Sequence, residues 1–140
     1  MKIVVKDNKT LGELQKEFNK EFPYLKIEFF ETPHTNGSGS PKSRMFSNSR
    51  TVKSCRKTHG EGEISISTTE TVSTLEQEFW DKFSLSVQVF RKSGNLWIET
   101  TLTNGWTLER QNREGKEISE HKSPFDEAND LDLTDRDKWS

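Results

Sequence analysis

The feature that most limits what this chain can become is that part of it is written twice. Thr10, Leu11, Leu14, Glu17, Phe18 and Phe22 recur without a gap as Thr71, Val72, Leu75, Glu78, Phe79 and Phe83. In both stretches the apolar residues stand at i, i+3, i+7 and i+11, which is the period of one helical face laid on a core. After one skipped residue the match resumes at the period of a strand, with Leu25, Ile27, Phe29 and Phe30 answered by Leu85, Val87, Val89 and Phe90. Residues 3–5 and 64–67 lead into the two helices as further strands. Each half therefore reads strand, helix, strand.

Local signals set the boundaries. Thr10 and Glu13 have the spacing of a capping box, which starts the first helix, and Pro23 pushes Phe22 out of helical geometry and ends it. Thr71 is also an N-cap, but Thr74 stands in place of the acid. After Phe90, Ser93 and Gly94 predict a two-residue hairpin turn that opposes Phe90 with Trp97, Val89 with Ile98 and Leu85 with Leu102. That register gives Leu85, Val87, Val89, Ile98 and Leu102 one side of the sheet, and Phe90 and Trp97 the other. Asn104, Thr107 and Leu108 open a short helix predicted to run to about residue 113. Asn48, Thr51 and Val52 repeat that spacing, with Cys55 falling where Gln111 does.

The expected fold is α+β: tandem duplicated strand-helix-strand units in a ferredoxin-like arrangement, with helices on one face of a largely antiparallel sheet; the alternative is that each copy closes its own sheet, giving two pseudo-symmetric halves. The chain divides into a first repeat (1–30), a basic linker or insertion (31–62), a second repeat with an extra hairpin strand and short helix (63–115), and an acidic, disordered tail (116–140). Composition agrees with uneven order. Only 29% of the residues are hydrophobic and the mean hydropathy is −0.94, so the repeats can bury a core but little remains to order the rest. A net charge of −2 conceals a dipolar chain. Between Thr32 and Gly60 there are six lysines and arginines and no acid, whereas from Glu117 onward acids outnumber Lys122, Arg136 and Lys138. Solvated chain is the expectation for both segments, and a sharper reading lays the tail against the linker. No apolar run reaches the length of a membrane span and no signal-peptide core is present, so a cytoplasmic protein is expected; a single cysteine agrees with a reducing compartment.

No residues assemble a convincing catalytic set. Cys55 and His59 would share a helical face and could form half a zinc site or a thiolate and its base, but nothing supplies the other half. Gly37, Gly39, Lys42 and Ser43 resemble a phosphate-cradling loop only loosely, because Pro41 stands where a glycine and its amide are needed. Carboxylate pairs such as Glu76 with Glu78 fall on the solvent side of the helices. The expectation is a non-enzymatic protein with no cofactor and no metal.

The strongest constellation is aromatic. Phe90 and Trp97 share the outer face of the hairpin, Phe30 is the first-half counterpart of Phe90, and Arg91 and Lys92 lie beside the turn. These five residues form the candidate binding surface. Tryptophan, phenylalanine and arginine anchor protein interfaces, which makes a protein partner the first reading. Aromatics on a sheet beside basic residues also stack unpaired bases, so a single-stranded nucleic-acid module, with the basic linker on phosphates, is the alternative. The run from Phe90 to Gly115, with Phe-Arg-Lys-Ser-Gly-Asn, Trp97, Trp106-Thr-Leu and Gln111-Asn112, resembles a group of small proteins from Bacteroidota bacteria. That resemblance implies the same fold and a bacterial cytoplasm; it implies no activity, cofactor or site residue.

Overall fold

The computed structural model of the chain describes residues 1–31 and 44–120. Their order is β1 (Lys2–Val5), α1 (Leu11–Glu21), β2 (Leu25–Phe30), β3 (Gly62–Ser65), α2 (Val72–Phe83), β4 (Ser86–Ser93), β5 (Leu96–Glu99) and α3 (Leu108–Glu120), with single 3-10 turns at Lys53–Cys55 and Thr101–Thr103. The class is α+β, as the alternating periods require. No described helix is long and apolar enough to cross a membrane.

Both repeat helices begin and end where their sequence signals stand. Thr10 accepts from the Glu13 amide while Glu13 reaches back, completing a capping box, and Phe22 closes α1. Thr71 caps α2 through the Thr74 amide alone. The far end of α2 turns on Ser84, held at φ 54°, whose amide returns to Phe79 and Trp80. Leu11, Leu14 and Phe18 of α1 and Val72, Leu75 and Phe79 of α2 are fully buried in one core with Ile3, Ile64, Ile27 and Val89. Phe29 and Phe79 meet edge to face across it, their ring centroids 6.3 Å apart.

Strand pairing follows neither one ferredoxin-like sheet nor a separate sheet closed within each half. The strands form two antiparallel sheets, β1 with β3 and, separately, β2-β4-β5. Each half pairs with the other: Ile3 lies opposite Ile64, and Glu28 opposite Gln88. These are the residues that the repeat matches to one another. The equivalence extends to the connections. Leu11 and Gly12 donate to Arg50 and Asn48 carbonyls, while Val72 and Ser73 donate to Trp106 and Asn104 carbonyls. Val52 and Leu108 donate to Lys9 and Glu70, so the Asn48, Thr51 and Val52 echo occupies matching places.

Two other expectations change. Within the segment from Thr32 to Gly60, expected as solvated chain, the described part joins the core: Val52 is fully buried and Phe46 packs against the core, its amide bonded to Phe29 O at 2.8 Å. α3 continues past residue 113 to Glu120, because Gly115 lets it lie close against β4 and Ser119 Oγ accepts from the Gly94 amide at 3.1 Å. The tail beyond it, and the contact proposed between tail and linker, lie outside the described residues.

Candidate functional site

The hairpin turns on Gly94 and Asn95 rather than Ser93 and Gly94, because the turn uses a positive φ at its first central position, and Gly94 supplies it at 65°. The register moves by two residues: Phe90 faces Glu99, Arg91 faces Ile98 and Lys92 faces Trp97. A shift of two preserves the faces, so Phe90, Lys92, Trp97 and Glu99 still share the outer side. Leu102, expected on the core face, is 92% exposed, since β5 ends at Glu99. Beyond that point side chains complete the bonding of Val89, whose amide donates to Glu76 Oε2 at 3.0 Å and whose carbonyl accepts from Thr100 Oγ1 at 2.8 Å.

On the outer face Lys26 of β2 lies directly opposite Phe90. Its ammonium stands 5.5 Å from the Phe90 ring centroid and 5.2 Å from that of Trp97, with Glu28 Oε1 3.5 Å away. A cation shared between two rings holds them as one unit, with roughly 0.5–1 kcal/mol for each partly exposed contact. Phe90 and Trp97 are both partly exposed. Lys26 was missed in the sequence because nothing local says which strand pairs with the second side of β4.

The structure separates the other two candidates from this group. Phe30 is only 3% exposed. Arg91 points to the opposite face, where its Nη1 donates to Gln111 Oε1 at 2.9 Å and its guanidinium lies 5.5 Å from the Trp106 ring, which Arg110 also covers at 3.7 Å. Burial pulls the Arg91 guanidinium below its ordinary value, opposed by the Glu114 charge; it remains a cation in the range where proteins fold. Gln111 is fully buried and gives both donors of its amide to Thr103. Arg91 therefore docks α3 rather than serving a surface.

Cys55 and His59 do not share a helical face either, because helical geometry stops at Cys55 and Arg56 is extended. Asp7 Oδ2 meets His59 Nδ1 at 2.9 Å, and Asp7 Oδ1 meets the fully buried Arg56 side chain at 2.9 Å. Arg56 Nη1 also donates to Phe83 O at 2.9 Å, tying the end of α2 to the loop after β1. Partial desolvation raises the Asp7 carboxyl, but hydrogen bonds and charge from Arg56 and His59 outweigh it and hold Asp7 below its ordinary value. Among the described residues, no group of three histidine, cysteine or acidic side chains could hold a metal ion. The candidate loop at Gly37, Gly39, Lys42 and Ser43 lies outside the described residues.

No protein-family model, curated protein or solved structure matches this chain, so none bears on the resemblance to Bacteroidota proteins.

Proposed function

We propose that this chain is a non-enzymatic binding protein that grips a protein partner through Trp97 and Phe90, with Lys26 and Lys92 beside them. The carrying observation is a partly exposed aromatic pair on the side of the sheet away from Val87 and Val89, at β5, the last strand of that sheet among the described residues. Those rings are not needed to fill the core, and aromatic and cationic side chains of this kind supply most of the energy of interfaces. We read the scaffold as a duplicated unit, because a two-fold relation makes matched residues face each other at its axis, as Ile3 faces Ile64 and Glu28 faces Gln88.

Single-stranded nucleic acid is the weaker occupant. Glu28 and Glu99 share the face with Lys26 and Lys92, leaving it without net positive charge, and Lys26 already stands over both rings. The test is capture of partners by the wild-type chain and by Trp97→Ala, with Trp80→Ala as a control on a different exposed tryptophan. Trp97→Ala is expected to weaken capture about thirtyfold, the effect of losing one strong anchor, with little change in thermal midpoint. Equal capture by wild type and Trp97→Ala refutes the reading. So does a collapse of stability, which would make Trp97 part of the core. Binding whose affinity falls steeply with salt would transfer the site to nucleic acid.

A further inference from the structure

The turns leading into α1 and α2 are built alike. The Lys9 amide donates to Lys6 O at 3.1 Å in the first, and the Glu70 amide to Ser67 O at 3.3 Å in the second. In each the following threonine caps the helix. In the first turn Lys9 Nζ meets Glu17 Oε2 at 3.2 Å and Val4 O at 2.7 Å. In the second, Glu70 occupies the place of Lys9, and Glu78 that of Glu17. An ion pair in one half has become a pair of carboxyl groups in the other.

Glu70 Oε1 accepts the Ser67 amide at 2.6 Å, while its Oε2 is buried with no hydrogen-bond partner among the described residues. Two carboxyl groups placed together cannot both ionise without cost, which favours a proton on Glu70. Burial raises Glu70 above its ordinary value of 4.5; the Ser67 amide opposes this, the charge and hydrogen bonding of Glu78 add to it, and Lys82 opposes it again. Lys82 is already engaged with Glu78, 3.7 Å away on α2. From α3 the acidic residue brought to this turn is Glu109, whose amide donates to Thr68 O at 3.0 Å, beside the Leu108 amide that donates to Glu70 O at 2.9 Å.

We infer that Glu70 and Glu78 form a proton-held clamp: protonated, it keeps the turn closed on α2 and holds the first residues of α3, and when the proton leaves, both loosen. Glu70 takes up a proton more readily folded than unfolded. Its contribution is therefore fully present below the ordinary value of 4.5 and is lost as pH rises through the higher folded value.

The experiment measures the urea midpoint and the exchange protection of the Leu108 and Glu109 amides as a function of pH, in wild type, Glu70→Gln, Glu78→Gln and Glu70→Lys. In the wild type, protection at both amides falls as pH rises above 4.5, and each glutamine variant flattens that fall. Glu70→Lys restores the ion pair of the first half, and its folding equilibrium constant at neutral pH exceeds that of Glu70→Gln by roughly twofold to fivefold, as for a partly exposed ion pair. Identical slopes in wild type and Glu70→Gln overturn the clamp. An unchanged slope in Glu78→Gln, which leaves Glu70 in place, overturns the pairing of the two groups, and so does a Glu70→Lys chain that is less stable than Glu70→Gln or fails to fold.

Discussion

Gly115→Ala sets two well-measured effects against each other, and the structure decides between them. Gly115 lies inside α3, so helix propensity alone favours alanine by about 1 kcal/mol. An added Cβ would stand 2.9 Å from Tyr24 Cβ, 3.1 Å from Arg91 Cγ and 3.2 Å from Lys92 O. None of the three yields easily. Lys92 O belongs to a central strand, and the Lys92 amide donates to Tyr24 O at 2.9 Å, which fixes the backbone carrying both atoms. The Arg91 stem is tethered by its guanidinium to Gln111. α3 must then lift from β4, straining the Tyr24 amide bond to Asn112 Oδ1 at 2.9 Å and the contacts of Gln111. Overpacking of this kind costs about 1–3 kcal/mol, so clash exceeds propensity and a net loss of about 1 kcal/mol is expected. The assay is urea denaturation at constant m-value, with Gly105→Ala as the control, since a Cβ there meets nothing within 4 Å. The control should be neutral or gain a few tenths of a kcal/mol, by restricting the unfolded chain. A Gly115→Ala protein more stable than wild type would show that α3 does not approach the sheet this closely.

Three further outcomes follow from the side chains around the core. Arg56→Met keeps much of the aliphatic stem but removes the donor to Phe83 O and one of the two partners of Asp7; because Asp7 is partly exposed and keeps His59, the expected loss is about 2–3 kcal/mol rather than the full cost of breaking a buried pair, read from the denaturation midpoint. The same variant changes acid behaviour. Asp7 is depressed in the folded chain, so its contribution is present above the unfolded value of 3.8 and lost as pH falls through the folded value; the acid limb of the stability curve should flatten in Arg56→Met and in Asp7→Asn, and unchanged curves would remove the role assigned to this pair. Phe79→Ala should cost about 3–5 kcal/mol, because the ring is fully buried and meets Phe29 edge to face; a loss below 1 kcal/mol would contradict the packing of α2 on the sheet.

What the sequence made legible was local. The helical stripes, the Thr10 capping box and the face that carries Phe90 and Trp97 all follow from periods and caps that neighbouring residues write together. The hairpin register was off by two because Ser-Gly and Gly-Asn are both credible turns, and only the positive φ of Gly94 chooses between them. Long-range pairing was not legible. Nothing near Ile3 says that it will face Ile64, and without β2 beside β4 there was no reason to place Lys26 over Phe90 and Trp97. In sequence Arg56 reads as one more cation of a solvated segment, whereas its charge is met by Asp7 and a helix-end carbonyl, neither of them its neighbour in sequence.

The differences between the halves are more informative than their likeness. Where the first half has an isolated bridge from Phe30 to Met45, the second builds β5; where the first has a single 3-10 turn at Lys53–Cys55, the second builds α3. The first of those additions brings Trp97 beside Phe90, and Glu70 stands on a turn whose first-half counterpart carries Lys9. Both proposals therefore concern places where the described residues of the two halves differ, and they are separable by experiment. Trp97→Ala removes a ring from the outer face and leaves the Glu70 turn intact, so its effect should be independent of pH. Glu70→Gln leaves the outer face intact and should change partner capture only through stability. A Trp97→Ala binding defect that appears at one pH and vanishes at another would mean that the aromatic face and the turn are coupled, and that the two roles belong to a single mechanism.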